Sequence, residues 1–303
     1  MSKQRQIPVR RILWWACLIL FLGSGIWLAY YAYSAITGEQ AIQEMTDELA
    51  ALRAQPSAVA TLPATMPTAD ERTTVASAIL PVEQNIAPSQ PDATPNAATH
   101  VAVPTEDPIL AYYRAHAKRN PDMVGWVHLD QTMIDYPVMY TPYNPQKYLH
   151  MDFRKQYSFA GLPFVDARCD LTSLTQNRIV YAHNMRSGQM FAQLLKYLDA
   201  EYLRAHPVIQ FDTLDAHGDY EVFAVLQVNL SAMNAPNMFC YSLFDTTEPK
   251  EVDALNAYLK TYAHTLIADA ALDDSILTLS TCQHLGSVDR LVVMARKAAV
   301  PKP

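Results

Sequence analysis

A long apolar run near the N-terminus sets the strongest limit on how this chain can fold. Residues 12–36 are almost free of polar side chains, and aromatic residues stand near both ends of the run. The run exceeds the roughly 20 residues that an α-helix needs to cross a bilayer, and aromatic side chains favour the two membrane interfaces. It therefore predicts a transmembrane anchor.

The charges that flank the run predict its orientation. The head, residues 1–11, carries four basic side chains and no acidic one, whereas Glu39 follows the run. The positive-inside rule places this head in the cytoplasm and everything after the span outside. A cleaved signal peptide is the alternative, because Ala32 and Ser34 are small residues at cleavage-like spacing, but the run is longer than an ordinary signal sequence.

Two further segments precede the part of the chain with a folding pattern. Residues 37–55 have apolar side chains at helical spacing, which predicts a juxtamembrane helix, with a dimerising seam as the alternative. Residues 56–104 hold eight prolines and no glycine, and their apolar residues follow no period. This composition predicts a disordered, semi-extended stalk that raises the folded domain, residues 105–303, above the membrane.

Charge and cysteine content argue against several kinds of partner. The formal charge of the chain is −7 even though the head contributes basic residues only. An acidic exterior argues against nucleic acid or anionic lipid as the main partner. The four cysteines are too few for a disulfide framework, and Cys169 and Cys240 either pair, leaving Cys282 as a free thiol, or stay reduced.

The pattern of the domain predicts a mainly β fold. A helix is expected at 109–118, followed by short β-rich runs separated by turn residues. Residues 251–265 have helical spacing, and two last β-rich runs follow at 277–282 and 290–296. Many short strands with one late helix predict a β-barrel that carries helical insertions.

The final predicted hairpin carries the first candidates for chemistry. Cys282 ends one strand beside a turn, and Arg290 begins the next strand, so a hairpin brings the two close together. A nearby cation favours the reactive thiolate and can stabilise an oxyanion. The ordinary alternatives are a buried inert cysteine and a solvated arginine, and Arg296 on the same strand face is the competing cation.

A histidine at the end of another predicted strand completes the candidate set. His183 follows a β-branched run and precedes a glycine-containing turn, where it could serve as acid and base for Cys282. A structural, hydrogen-bonded histidine is the alternative, and His284 is the rival base. Cys282 and His284 also form a C-x-H pair, but no C-x-x-C or H-E-x-x-H accompanies it, so we expect no metal site.

Ordered sequence blocks give the chain a specific resemblance. TLSTC ends at Cys282, YAHNMRSGQMFAQLLKY surrounds His183, RLVVMARK begins at Arg290, and DMVGWVHLDQTMIDYPVMY lies upstream of all three. In this order they resemble the class B branch of the sortases, which are membrane-anchored cysteine transpeptidases of Gram-positive cell surfaces. The resemblance covers about residues 109–297.

The resemblance implies a fold and a set of roles. The implied fold is an eight-stranded sortase β-barrel with an N-terminal helix and a helix-containing insertion before the last two strands. Cys282 would be the nucleophile, His183 the general acid and base, and Arg290 the group that stabilises the oxyanion or positions the substrate. The resemblance also implies that the backbone N–H of Gln283 is a second oxyanion donor. Ser280 and Asn144 would lie in the substrate groove.

The implied reaction is a two-step acyl transfer that needs no metal, ATP or cofactor. The enzyme would cleave surface proteins at a C-terminal sorting motif, N-P-x-T-N-like or L-P-x-T-G-like, after its threonine, and transfer them to an amine of a peptidoglycan precursor. The implied location is the cell membrane, as a single-pass type II protein with its catalytic domain in the cell wall. A pilin polymerase that uses a lysine acceptor, a surface cysteine peptidase and an inactive interaction module stay open as alternatives.

Overall fold

The N-terminal part of the chain forms one long helix. The computed structural model describes residues 9–54, 106–173, 176–231, 240–282 and 289–298. Helix α1 (Val9–Arg53) runs without a break through the predicted span and the juxtamembrane segment. From Leu13 onward it is long and apolar enough to be a candidate membrane span, and most of its large apolar side chains from Leu13 to Ile36 are exposed.

The described strands of the domain form one sheet that closes on itself. They are β1 (Met123–His128), β2 (Asp135–Met139), β3 (Phe164–Val165), β4 (Asn177–Tyr181), β5 (Val208–Thr213), β6 (Asp219–Asn229), β7 (Ala263–Leu266), β8 (Ile276–Cys282) and β9 (Asp289–Lys297). Eight of them follow the order β5-β1-β2-β3-β4-β8-β9-β6, and β6 pairs back onto β5. This closure confirms the predicted eight-stranded barrel.

A short ninth strand extends the barrel at one edge. The first residues of β6 pair with β5, and Ala224 to Leu226 further along the same edge pair with β7. Strand β7 directly follows the insertion helix α4 (Pro249–Tyr262). The predicted helix-containing insertion before the last two strands is therefore present, and it also contributes this extra strand.

The remaining helical elements lie before the barrel and in its connections. They are α2 (Pro108–Arg119), α3 (Ala200–Ala205) and two 3-10 helices at Lys147–His150 and Ala192–Leu198. Asp107 caps α2, because its Oδ1 accepts hydrogen bonds from the N–H groups of Ile109 and Leu110. Pro108 stands at the first helical position, where no N–H is needed. Local sequence thus determines where this helix begins.

The end of α1 is part of the domain rather than a separate element. Met45 and Leu49 are buried in a hydrophobic cluster with Tyr113 of α2 and Trp126 of β1. The apolar stripe that could have served as a dimerising seam is therefore covered by the chain's own domain. The predicted stalk, residues 56–104, lies outside the described residues and stays a prediction.

Candidate active site

The pairing of β4 with β8 brings the candidate cysteine and histidine to the same end of the barrel. The two strands are parallel neighbours, with Tyr181 opposite Ser280. His183 lies two residues beyond Tyr181, and Cys282 lies two residues beyond Ser280. Because parallel strands end at the same edge of a sheet, the two side chains emerge side by side although 99 residues separate them.

Hydrogen bonds across the strand ends fix this arrangement. The Thr281 hydroxyl donates to the carbonyl oxygen of Ala182 at 2.9 Å, and Asn184 Nδ2 donates to the carbonyl oxygen of Cys282, also at 2.9 Å. The two neighbours of His183, Ala182 and Asn184, are thus hydrogen-bonded to Thr281 and Cys282. The strand register and these two hydrogen bonds together fix the position of His183 relative to Cys282.

The antiparallel hairpin adds the arginine. Cys282 and Arg290 are directly paired in the register of β8 with β9, and the half-buried Arg290 donates one hydrogen bond to the carbonyl oxygen of Asp289 at 3.2 Å. The competing Arg296 pairs with Ile276 at the other end of the same hairpin. Six residues of extended strand, about 20 Å, separate the two arginines, so only Arg290 belongs to this end of the barrel.

One pocket of about 470 Å³ contains all three candidate groups. Its lining includes Cys282, His183 and Arg290, together with Ser280 and Leu230. Ser280 is fully buried in the pocket wall, where its hydroxyl shares a 2.8 Å hydrogen bond with Tyr241. The structure therefore brings together the three residues that the sequence assigned to one reaction.

The other predicted positions differ in their relation to the pocket. Asn144 lies in an exposed turn, and the residues that follow it, Pro145 and Gln146, line the pocket instead. Gln283 and His284 lie outside the described residues. Their predicted roles as oxyanion donor and rival base stay predictions.

The surroundings of His183 determine its protonation state. Burial lowers the pKa of His183. The Leu149 carbonyl opposes this by favouring the protonated ring, and electrostatic effects of His150 and Arg290 add to the lowering. Nε2 lies 2.9 Å from the Leu149 carbonyl oxygen and must donate to it, since a carbonyl only accepts. The ring is therefore mainly neutral at pH 7, and Nδ1 is the nitrogen that can take up a proton.

Two rings stack on this histidine. The His150 ring lies 5.3 Å from it between centroids, and the Phe159 ring lies 6.4 Å away and almost parallel to it. Together with Leu149, these residues come from the connection between β2 and β3. Sequence reasoning missed them because they stand more than 20 residues before His183 and follow no motif that points to it.

An ion pair in the pocket wall was also missed. Asp166 accepts a 2.8 Å hydrogen bond from the Tyr181 hydroxyl. It also accepts two hydrogen bonds from the Arg168 guanidinium, at 2.9 and 2.7 Å, in a bidentate ion pair. Burial raises the pKa of Asp166, but the hydrogen bonds from Arg168 and Tyr181 outweigh it and hold the pKa below its usual range. An acidic residue directly after the β-rich GLPFV run was the available sequence signal.

The cysteines outside the span are not equivalent. Cys169 and Cys240 are buried and unpaired, so they form no disulfide with each other. Burial raises the pKa of the Cys169 thiol to about 11 and that of the Cys240 thiol to about 12. Cys282 is the partly exposed thiol, and it lies in the pocket.

A closed eight-stranded barrel with a cysteine, a histidine and an arginine at one rim defines a cysteine acyltransferase of the sortase type. The family model described as "Sortase domain" matches residues 127–298, more than half of the chain. The chain belongs to the sortase family, whose members are cysteine transpeptidases.

Comparison with individual proteins shows which branch of the sortase family this chain resembles. The chain is 35% identical to sortase B of Listeria monocytogenes over 165 residues, which cover 54% of this chain and 64%, just under two thirds, of that protein. It is 29% identical to sortase B of Staphylococcus aureus over 198 residues, which cover 63% of this chain and 76% of that protein. The resemblance to class B sortases is confirmed.

Solved structures agree with this class. A substrate complex of Staphylococcus aureus sortase B matches with a TM-score of 0.55 and 27% identity, over 63% of this chain and 86% of that one. A mutant form of Clostridium perfringens sortase B, with a cysteine replaced by serine, matches with a TM-score of 0.52 and 27% identity, over 62% of this chain and 87% of that one.

Proposed function

We propose that this chain is a membrane-anchored transpeptidase that cleaves a C-terminal sorting motif after threonine and transfers the protein to an amine of a peptidoglycan precursor. The observation that carries the proposal is the meeting of Cys282, His183 and Arg290 in one pocket at the barrel rim. A thiol, a proton carrier and a fixed cation are the groups that acyl transfer through a thioester requires.

The first half-reaction forms the acyl-enzyme. The Cys282 thiol gives its proton to neutral His183, and the resulting thiolate attacks the threonine carbonyl carbon. The carbon–oxygen double bond opens to an oxyanion that faces the Arg290 guanidinium. The carbon–nitrogen bond then breaks while protonated His183 gives its proton to the leaving amine. The product is a thioester between Cys282 and the threonine carbonyl.

The second half-reaction reverses these roles. The acceptor amine attacks the thioester carbon, and neutral His183 takes the proton that the amine loses. The carbon–sulfur bond breaks, the thiolate returns, and a new amide joins the surface protein to the acceptor. One amide replaces another, so the exchange is nearly balanced in bond energy and draws on no external energy source.

The membrane anchor supports the same function. The exposed apolar part of α1 would span the bilayer, and the basic residues before it would hold the head in the cytoplasm. Substrates that carry their own membrane helix would then diffuse in the same surface as the enzyme. Confinement of both partners to one surface raises their effective concentration.

The test uses the full chain in lipid nanodiscs. N-P-Q-T-N-type and L-P-x-T-G-type peptides are added with and without a diaminopimelate- or glycine-based amine, and intact-mass spectrometry follows the enzyme and the products. A thioacyl adduct that converts to an amide, and that is lost in Cys282→Ala but kept in Cys240→Ala, is the expected result.

Other outcomes distinguish the remaining functions. Conversion of the adduct only to a free acid, whatever the amine, would show a cysteine peptidase. Transfer to the lysine of a pilin peptide in preference to the wall amines would show a pilin polymerase. No adduct with any peptide, in a preparation whose Cys282 still reacts with iodoacetamide, would contradict the proposed acyl donor.

A further inference from the structure

A series of aromatic rings connects the membrane anchor to the candidate active site. Within α1, Trp27 stacks on Tyr31 at 5.8 Å between ring centroids, and Tyr31 lies 6.2 Å from Tyr157 of the domain. Tyr157 lies 6.2 Å from His150, whose ring stacks on His183 at 5.3 Å. The pocket histidine is thus only three ring contacts away from a side chain of the anchor helix.

The domain side of this series is a loop rich in basic and aromatic residues. This basic–aromatic loop comprises residues 152–159, and its exposed side chains include Arg154, Lys155, Tyr157 (46% exposed) and Phe159 (52% exposed). Among the described residues, the Arg154 guanidinium and the Lys155 ammonium form long ion pairs, at 3.8 Å to Glu44 and 3.7 Å to Asp122. Two cations and two aromatic rings therefore face outward together.

The loop packs against α1. The buried Asp152 carboxylate accepts a 2.8 Å hydrogen bond from the Gln156 N–H, which closes the turn that presents the two cations. Gly38 of α1 faces this turn, and a Cβ there would be in van der Waals contact with Asp152, 3.4 Å from its Oδ2. The position of the loop along the anchor helix is consequently fixed.

Helix length indicates where this position lies relative to a bilayer. Leu13 and Tyr31 are about 27 Å apart along the helix axis at about 1.5 Å per residue. The hydrocarbon core of a bilayer is about 30 Å thick. If the span begins near Leu13, Tyr31 and the basic–aromatic loop beside it lie at the outer interface.

We propose that the basic–aromatic loop is a second membrane contact, which rests the domain on the outer bilayer surface beside α1. Tyrosine and phenylalanine rings favour the interfacial layer, and Arg154 and Lys155 suit anionic lipid phosphates. These two exposed cations contrast with the acidic chain as a whole. The inference rests on the membrane anchorage in the proposed function.

The contact determines what reaches the pocket. Because His183 stacks on Phe159 of the loop, the candidate active site opens close to the lipid surface. A sorting motif a few residues outside its own membrane helix, and an amine on a lipid-linked acceptor, would both meet the enzyme there. In this arrangement the domain lies at the bilayer surface, whereas a stalk would hold it above the membrane.

The depth of the loop can be measured by spin labelling of the full chain. Tyr157→Cys is prepared in a Cys17→Ala, Cys282→Ala background and labelled in nanodiscs of phosphatidylcholine with phosphatidylglycerol. The control label replaces the exposed Asp130, which contacts His128, and His128 in turn contacts Arg53 of α1. Arg53 lies about 33 Å further along the helix axis than Tyr31, so the control label lies far from the proposed membrane contact. We expect the label at 157 to be relaxed by oxygen and shielded from a water-soluble nickel chelate, and the label at 130 to behave in the opposite way.

Equal access of the nickel chelate to both labels would overturn the proposal. A second measurement uses active enzyme and a sorting motif on a membrane-embedded helix, compared with the same motif as a soluble peptide. Tyr157→Ser should lower turnover of the embedded substrate severalfold and leave the soluble peptide unaffected, whereas Tyr262→Ser, an exposed tyrosine of α4, should change neither. An equal effect of Tyr157→Ser on both substrates would contradict a membrane role.

The two proposals fail separately. Loss of thioacyl formation from any peptide, with a buried label at 157, would remove the proposed reaction and keep the membrane contact. Normal acyl transfer to soluble peptides, with a water-exposed label at 157, would do the reverse.

Discussion

At the scale of single residues, the neutral state of His183 determines how activity should depend on pH. Burial and the nearby charges of His150 and Arg290 lower its pKa from the ordinary value of about 6.5. The acidic limb of kcat/KM reports the lower pKa of an acid–base pair, whichever group is protonated in the active form. We therefore expect this limb below pH 6.5, measured with a soluble sorting peptide.

Replacement of His150 tests the cause of this shift. His150→Asn removes the electrostatic effect by which His150 lowers the pKa of His183, so the pKa of His183 should rise and the acidic limb should move to higher pH. His206→Asn, which changes a histidine stacked on Tyr202, is the control and should leave the limb in place. An unmoved limb in His150→Asn would contradict an electrostatic effect of His150 on the group that titrates.

Thiol reactivity should separate the cysteines. In a Cys17→Ala chain, iodoacetamide at pH 7.5 should modify Cys282 alone, because burial raises the pKa of Cys169 and Cys240 and shields both sulfurs. Intact-mass spectrometry should show a single added group that is absent from Cys282→Ala. Two or three groups added to folded protein would contradict the buried positions of the other thiols.

At the scale of elements, one ion pair fastens the end of α1 to the barrel. Arg53 Nη1 lies 2.8 Å from Asp135 Oδ2, and the two side chains are only 23% and 11% exposed. Arg53→Met leaves the Asp135 carboxylate buried with one charged partner fewer, so we expect a loss of about 2 kcal/mol in the free energy of unfolding. Guanidinium chloride denaturation of the detergent-solubilised chain measures it.

A surface arginine supplies the matched control. Arg114 pairs with Glu106 at 2.6 Å, but the Glu106 side chain is 62% exposed. Arg114→Met should therefore cost less than about 1 kcal/mol. Equal losses in the two variants would mean that α1 is not fastened through Arg53.

A histidine beside α2 should make stability depend on pH. Burial lowers the pKa of His217, but hydrogen bonds to Asp107 and Asp212 outweigh burial and raise it above the ordinary value. A raised folded-state pKa gives stabilisation that is complete below about pH 6.5 and is lost as pH rises through the folded-state pKa. The wild-type advantage in Tm over His217→Gln should thus be larger at pH 5.5 than at pH 9, and an advantage that is constant or grows with pH would contradict this.

At the scale of the whole molecule, the packing of α1 predicts that the chain stays together after it is cut. A protease site inserted between residues 56 and 104 separates α1 from the rest of the chain. Burial of Met45 and Leu49 contributes about 2 kcal/mol each, and the Arg53 ion pair adds to it. The two fragments should therefore co-elute in detergent on size-exclusion chromatography after cleavage.

Leu49→Asp provides the contrast. A carboxylate at this buried position should release the α1 fragment after the cut, while an uncut Leu49→Asp chain still elutes as one species. Separation of the wild-type fragments would show that the domain holds α1 only through the covalent chain, as a stalk would.

Local sequence was sufficient for most of the elements. The apolar run, the helical spacings and the β-rich runs predicted the helices and most of the strands, because each of these patterns is complete within a few residues. Residues 263–265, predicted as the end of a helix, instead form part of β7. The alternation of apolar and polar side chains in residues 277–282 predicts a strand buried on one face only, and this was wrong: β8 is buried on both faces as far as Thr281. Its polar side chains are tolerated there because Thr278 bonds to Asn177, and Ser280 to Tyr241.

What the sequence by itself determined was the chemistry available: a thiol at a strand end, a histidine at another, an arginine across a turn, and an apolar helix ahead of them. Only the tertiary structure decided which of these meet. The parallel register of β4 with β8 brings His183 and Cys282 to the same end of the barrel, and the packing of α1 on the barrel places the basic–aromatic loop beside the apolar part of α1. The physical reason is that periodicity is local, whereas the choice of buried partners depends on surfaces that lie far apart in the chain.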